Sequence, residues 1–326
     1  MRAVVLKDFG PPDQLTVAEL PDPHPAPGEV AIRVAAVGIQ FLETQIRSGT
    51  MRGALGGAPL PVVLGKEIAG EVVETGAGVD TALLGSRVLA TTGGTGGYAE
   101  LAVAPAEGLV PVPDGLGFPD AVALYRYGAT ARGLIDTARV TAGDRVLVQA
   151  AAGAVGTILV QLLKRAGATV IGTARGADKL ALVKELGADH VVDYSLPGWT
   201  EQVRQVAQGA VDVVYDHIGG ELGRESFSLL AAGSGRQIVF GFSSGQPLDV
   251  QPMELFARGS TLTGFSAGLI WNRPAFAREL VTDVLGLAVT GEIRPVVGQS
   301  FPLERAGEAH AAVESRSTVG KTLLVP

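Results

Sequence analysis

The chain has 326 residues, 47% of them hydrophobic and only 18% charged, with 33 acidic against 26 basic side chains and a net charge of −7. That length exceeds one ordinary core, so two domains are expected, and the composition is globular rather than disordered. The acidic balance disfavours a nucleic-acid binder, which needs a concentrated basic face. The absence of cysteine excludes disulfides, thiolate chemistry and Cys-based metal sites.

The N-terminal run Met1-Arg2-Ala3-Val4-Val5-Leu6-Lys7-Asp8 reaches charge too soon for a signal peptide and reads as a strand. No run of eighteen uncharged apolar residues suggests a membrane span, so a cytoplasmic setting is expected. Up to about Pro119 the apolar runs are short and broken by turn residues, as in Val30–Val34, Gly70–Glu74 and Ser86–Leu89. Such a pattern predicts short strands and long loops. From about Ala121 strands alternate with helical periodicity. Strands are predicted at Arg145–Gln149, Thr169–Thr173, His190–Asp193, Val211–Asp216, Arg236–Phe240 and near Thr261–Phe265. Six strands separated by helices imply βαβ units and a doubly wound parallel sheet. From about Gly291 the chain returns to strands and turns, which suits a tail completing the first domain. The fold class is therefore α/β, with a β-rich domain over 1–120 and 266–326 and a dinucleotide-binding domain over 121–265.

The centre of the chain reads Arg145-Val146-Leu147-Val148-Gln149-Ala150-Ala151-Ala152-Gly153-Ala154-Val155-Gly156. A strand enters a turn of small residues, and a helical stripe follows at 155, 158, 159, 162, 163 and 166, closed by Lys164, Arg165 and Gly167. A diphosphate needs close approach of backbone and the free N–H groups of a helix start. Ala150, Ala152, Gly153, Ala154, Val155 and Gly156 are thus the candidate cradle, with Ala150 where the usual fingerprint has its first glycine.

An NAD site normally places Asp or Glu at the end of the second strand to hold the ribose hydroxyls. Here that strand ends Gly172-Thr173-Ala174-Arg175, with no carboxylate before Asp178. Arg175 and Lys179, with Thr173 at the strand end, instead suit a 2′-phosphate, so the cofactor expected is NADPH. The competing possibility is that both cations only solvate a helix start.

Together with these features, several motifs resemble those of the medium-chain dehydrogenase/reductase superfamily, in its zinc-free quinone oxidoreductase branch. They are Gly65-Lys66-Glu67-Ile68-Ala69-Gly70, Gly97-Tyr98-Ala99-Glu100, Gly128-Ala129-Thr130-Ala131, Glu185-Leu186-Gly187-Ala188-Asp189, Asp212–Asp216 with Gly219-Gly220, Phe240–Ser244, and Ser315-Arg316 with Gly320-Lys321. The resemblance spans essentially the whole chain. It implies a GroES-like β-barrel catalytic domain, a Rossmann domain with the active site between them, and a homodimer joined through the Rossmann sheets. It further implies that Lys179, Tyr194 and Arg316 hold the 2′-phosphate and adenosine end, and that Thr130, Phe242 and Ser243 lie near the nicotinamide half.

Zinc-dependent relatives carry an early Cys and a Gly-His-Glu triplet, where this chain has Gly38-Ile39-Gln40-Phe41 and Gly65-Lys66-Glu67. Lysine is a poor divalent ligand, and His24, His190, His217 and His310 are scattered, so no metal is expected and each histidine reads as a surface or turn residue. Without a Lewis acid, alcohol dehydrogenation is disfavoured, whereas quinones and enones accept hydride to give a delocalised anion. The expected activity is hydride transfer from NADPH to a quinone or other small unsaturated carbonyl compound. Gln40 is the candidate for orienting the acceptor or ribose, or else a polar strand end. Tyr127 either donates a hydrogen bond or packs as an aromatic wall, and Thr130 completes the candidate catalytic set. Gln45 and Met51 stand where the family often has tyrosines, and His217 where it often has a small residue. Two alternatives remain open: an enone or alkenal double-bond reductase, and an NADPH-binding protein without turnover.

Overall fold

In the computed structural model, which describes residues 1–326, the short runs of the first third form eight strands. They are β1 (Arg2–Leu6), β2 (Leu15–Glu19), β3 (Glu29–Gly38), β4 (Val62–Val63), β5 (Glu67–Thr75), β6 (Arg87–Thr91), β7 (Leu101–Pro105) and β8 (Val110–Pro111). Helix α1 (Phe41–Arg47) follows β3, and α2 (Phe118–Ala138) follows β8. Strands and helices then alternate: β9 (Arg145–Val148), α3 (Ala154–Arg165), β10 (Thr169–Ala174), α4 (Ala177–Glu185), β11 (His190–Asp193), α5 (Trp199–Val206), β12 (Val213–Asp216), α6 (Gly220–Ser228), β13 (Arg236–Val239), α7 (Pro252–Arg258) and β14 (Thr261–Gly264). The chain ends with α8 (Gly268–Trp271), α9 (Pro274–Val289), β15 (Val297–Pro302), α10 (Ala306–Glu314) and β16 (Lys321–Val325). No helix is long and apolar enough to cross a membrane.

Two units result, Met1–Arg126 with Ala277–Pro326, and Tyr127–Phe276. The divisions fall six and eleven residues later than the expected 120/121 and 265/266 (126 − 120 and 276 − 265). The reason is physical: both crossings occur inside helices, α2 and α9, whereas the proline and glycine signals in the sequence mark where helices begin. The returning segment also carries two helices, α9 and α10, beside its strands.

The first unit contains the sheet β2-β1-β4 and a seven-stranded sheet in the order β15-β16-β3-β5-β6-β8, with β7 also paired to β3. Its strand pairs are antiparallel except β15 with β16. The two sheets are stitched where Val4 N donates to Tyr98 O (2.8 Å) and Glu100 N to Arg2 O (3.1 Å). Val4, Leu6, Ile32, Val34, Ile68 and Val88 fill the interior, the buried half of each alternating run.

The second unit is a six-stranded, wholly parallel sheet in the order β11-β10-β9-β12-β13-β14. Its central strands β9, β10 and β12 are nearly continuous buried runs, as cover on both faces requires, whereas the edge strand β14 is partly exposed. Because the order reverses between β9 and β12, the crevice for a ligand lies beyond the carboxyl ends of those two strands.

Gly172 on β10 lies so close to α4 that an added Cβ would be 2.3 Å from Val183 Cγ1. We therefore expect Gly172→Ala to cost about 1–3 kcal/mol by overpacking. Combining it with Val183→Ala, which vacates that space, should cost clearly less than the sum of the two single changes in urea unfolding. Strict additivity would mean that α4 does not pack on β10 through this pair.

Candidate functional site

At the crevice edge, β9 ends in a turn locked from several sides. Gln149 N donates to Tyr215 O (3.1 Å), and its side-chain amide donates to Leu222 O (2.9 Å) and Ser226 Oγ (2.5 Å). Ala150 takes the left-handed conformation at φ 49°, which costs a non-glycine residue about 1 kcal/mol or more. This is where the dinucleotide fingerprint normally has a glycine. Ala151 N donates to Thr173 O (2.9 Å), and Gly153 N closes the turn on Ala150 O (2.8 Å). Gly153 then caps α3 with no side chain, so the first-turn N–H groups of Ala154, Val155 and Gly156 have no capping side-chain acceptor. Gly156 allows the close passage of strand and helix, since an added Cβ would be 2.5 Å from Ala150 O and 2.7 Å from Ala151 Cα. Ala152 is buried in the turn, while Gly153, Ala154 and Val155 are partly exposed.

Beyond β10, Arg175 is exposed and α4 begins two residues later. Burial, and after it the nearby Arg175 guanidinium, hold the Lys179 ammonium below its usual pKa. Two cations pressed together in this way favour an incoming anion. Burial acts to raise Asp193, but the Ser195 hydroxyl, the Gly176 N–H and Arg175 outweigh it and hold that carboxyl low. Gly176 N donates to Asp193 Oδ2 (2.8 Å), which fixes the turn ahead of α4. Tyr194 packs beside the Trp199–Phe227 cluster. Thr173 is fully buried and its hydroxyl donates to Val148 O (3.3 Å). Contrary to its expected place in the cofactor set, its side chain braces the turn from behind.

Phe242 and Ser243 follow β13 on the carboxyl side of the sheet. Phe242 is exposed, and Ser243 N donates to His217 O (3.0 Å), which joins this loop to the one after β12. His217 packs its ring on Phe240, with centroids 5.1 Å apart. Tyr127 and Thr130 sit three residues apart on α2, the first partly exposed and the second buried.

Gln40 and Arg316 belong to the first unit. Arg316 lies just after α10 in the left-handed conformation at φ 56°. Gln40 caps α1, and its buried side-chain amide nitrogen has no hydrogen-bond partner. Around it lies a buried polar cluster that the sequence did not announce. Glu43 Oε2 accepts from Gln40 N (2.8 Å) and from the Tyr98 hydroxyl (2.9 Å), and its Oε1 accepts from Lys66 N (3.1 Å). Burial pushes the Glu43 carboxyl up, against these bonds and the pull of Lys321. Lys321 pairs with Glu67, both side chains almost wholly enclosed, and burial lowers its ammonium pKa against the pull of Glu43.

His310 corrects the expectation for the histidines. It is fully buried, its Nε2 lying 2.9 Å from the Tyr98 hydroxyl, because α10 turns its inner face onto the barrel core. The motifs Gly65-Lys66-Glu67, Gly97-Tyr98 and Gly320-Lys321 marked three of these residues, but nothing local in the sequence pairs them with one another or with Glu43 and His310.

The chain is similar to known proteins over its whole length. Residues 26–114 match the family model described as alcohol dehydrogenase GroES-like domain, and residues 154–282 the one described as zinc-binding dehydrogenase. A quinone oxidoreductase of Pseudomonas aeruginosa is 34% identical, covering 98% of this chain and 97% of that protein. A 2-haloacrylate reductase of a Burkholderia species is 34% identical over 99% of this chain and 98% of its own length. The solved structure of Escherichia coli quinone oxidoreductase complexed with NADPH superposes with a TM-score of 0.91 at 31% identity, covering all of both chains.

The zinc named in one of those descriptions does not suit the residues present. There is no cysteine, Lys66 stands in the triplet where zinc enzymes have histidine, and no three His, Asp or Glu side chains converge.

His310 gives this cluster a measurable signature. Burial first, and then Arg47, push its pKa down to about 3 from 6.5. As pH falls, the unfolded chain takes the proton first, so this stability is fully present above 6.5 and is lost as pH falls toward 3. Between pH 7 and pH 5 the loss from this one group should be about 2 kcal/mol. Urea unfolding of His310→Phe should show a correspondingly flatter pH dependence. An unchanged slope would place the imidazole in solvent.

Proposed function

The chain belongs to the quinone oxidoreductase branch of the medium-chain dehydrogenase/reductase superfamily, and from that membership we propose that it is an NADPH-dependent reductase of quinones or other small unsaturated carbonyl compounds. When bound, the dinucleotide supplies a hydride from its nicotinamide ring. The N–H groups of Ala154, Val155 and Gly156 hold the diphosphate at the start of α3. Arg175 and Lys179 take the 2′-phosphate, with Tyr194 and Arg316 at the adenosine end. Tyr127, Thr130, Phe242 and Ser243 serve the nicotinamide half, and Gln40 offers its unpaired amide to the acceptor oxygen.

One observation carries this reading. Arg175 directly after the second strand and Lys179 in the first turn of α4 stand where an NAD site would present a carboxylate. Hydride addition to a quinone or enone yields a delocalised anion that hydrogen bonds and solvent can serve without a Lewis acid, which suits the donors present. The 2-haloacrylate reductase relative favours a second form of the same chemistry, reduction of an activated carbon–carbon double bond. We further propose a cytoplasmic homodimer, drawing on the NADPH regenerated there. β14 ends the six-stranded sheet with an unpartnered outer edge, and Phe256 on the preceding α7 is 80% exposed. A second copy added along that edge would cover both.

Two measurements test these statements. In fluorescence titrations NADPH should bind about 100-fold more tightly than NADH, roughly 3 kcal/mol from two charge-assisted contacts. The Arg175→Ala, Lys179→Ala double variant should lose most of that preference, and equal affinities in the unaltered protein would overturn the cofactor assignment. Tight binding with no oxidation by any quinone, enone or alkenal would favour a non-catalytic binder. In light scattering, the protein should run at twice its 33.4 kDa chain mass, and Phe256→Glu should shift it toward the monomer. A wild-type monomer at micromolar concentration would contradict the edge pairing.

A further inference from the structure

Asp216 closes β12 with a side chain that is fully buried inside the second unit. Its Oδ1 accepts from Ile218 N (2.9 Å) and Gly219 N (2.8 Å), and its Oδ2 accepts from Gln237 Nε2 (3.0 Å). Helix α6 lies directly over it: a Cβ added at Gly223 would be 2.5 Å from Oδ2. That packing leaves no room on this side for a water to take the place of the carboxylate. A buried carboxyl is costly unless its hydrogen bonds hold something in place.

What these bonds hold is the orientation of two peptide groups. In a trans peptide the N–H and the C=O point in opposite directions. Turning the Ile218 N–H inward to Asp216 therefore turns the His217 carbonyl outward, and turning the Gly219 N–H inward does the same for the Ile218 carbonyl. Those two carbonyls accept the amides of the neighbouring loop, Ser243 N to His217 O (3.0 Å) and Ser244 N to Ile218 O (3.0 Å). A third rung, Phe240 N to Asp216 O (2.9 Å), comes from the same residue's main chain. The two loops touch so closely that a Cβ at Gly219 would be 2.4 Å from Gln246 O, and one at Gly241 2.6 Å from His217 Cδ2. One carboxylate oxygen thus sets the carbonyl pair that carries the segment bearing Phe242 and Ser243.

We propose that Asp216 is a positioning residue for the nicotinamide half of the site, acting through the His217 and Ile218 carbonyls on the loop of Phe242 and Ser243; this rests on the reductase reading given above. Asp216 itself is enclosed and touches no ligand. The diphosphate turn takes none of its hydrogen bonds from this side chain, since Gln149 is held by Tyr215 O, Leu222 O and Ser226 Oγ. Loss of the carboxylate therefore falls on one half of the dinucleotide. The adenosine half keeps its grip while the nicotinamide loses its fixed wall, and hydride transfer is sensitive to that alignment.

The test compares the wild-type protein with Asp216→Ala and Asp216→Asn. Asparagine keeps the Oδ1 acceptor, and Gln237 can meet its new NH2 group with Oε1, which has no partner. In single-turnover mixing with saturating NADPH and 1,4-benzoquinone, Asp216→Ala should slow hydride transfer about 10- to 100-fold, and Asp216→Asn should recover most of the rate. Affinity for 2′-phospho-ADP-ribose, which lacks the nicotinamide, should stay within about twofold in both variants. Parallel losses of rate and of this affinity, an unchanged rate in Asp216→Ala, or an Asp216→Asn protein no faster than Asp216→Ala would overturn the role. A second measurement needs no variant to fold: in the ligand-free wild-type protein the Ser243 and Ser244 amides should exchange with solvent at least about 100-fold more slowly than in a free chain. Exchange at the free-chain rate would equally overturn it. A wild-type protein that binds NADPH yet reduces no acceptor would remove the reductase reading, and this role with it, even with both amides protected.

Discussion

A helix that begins without a cap is the constraint on which the second unit is organised. Three amide groups at the start of α3, on Ala154, Val155 and Gly156, have no side chain to receive them. The partial positive charge of the helix end adds to their demand for an acceptor. The surroundings preserve this state instead of relieving it. Gln149 is tied to the neighbouring strand and to α6, Thr173 supports Ala151 from behind, and Gly156 leaves no space for a side chain that could move the helix away from the strand. Ala150 remains in a left-handed conformation because these neighbours over-determine it, as strained backbone at binding sites commonly is.

The first unit is organised on buried charge. Glu67 with Lys321, and Glu43 with Tyr98 and His310, join β5, β16, α1 and α10 across the barrel interior. Removing one partner of such a pair leaves the other uncompensated at a cost of about 3–5 kcal/mol, so each pair fixes geometry more than it adds net stability. The consequence for chemistry is local rigidity. The backbone at Gln40 and Lys66 is pinned to the two oxygens of one carboxylate, that of Glu43.

Much of this was legible in the chain, and the parts that were not share a cause. The parallel sheet could be read because its strands are short runs, apolar at the centre of the sheet, that alternate with helical periodicity. The observed strands fall within a residue or two of those expected, the largest shift being Val211 to Val213 at the start of β12. The phosphate turn could be read because its small residues are contiguous. The buried network could not, because its members are 55, 212 and 254 residues apart (Glu43 to Tyr98, Tyr98 to His310, and Glu67 to Lys321). Glu67 and Lys321 belong to family motifs far apart in the chain, with nothing local to pair them, and His310 sits in an alanine-rich segment where it reads as a surface or turn residue. Only the tertiary fold brings α10 over the core and turns each from a surface residue into a buried one. Thr173 was misplaced for a related reason, since a polar residue at a strand end looks exposed until the turn above it is seen to cover it.

The central claim is that the open end of α3 receives a diphosphate, and the amide signals of Ala154, Val155 and Gly156 report on it directly. With the full chain labelled at these residue types, addition of ADP-ribose should move all three signals downfield and slow their hydrogen exchange. Amides in the interior of α5 should stay where they are. If the three signals are unmoved at saturating ligand, while binding is registered elsewhere on the protein, the diphosphate does not sit at this helix end and the site described here is wrong.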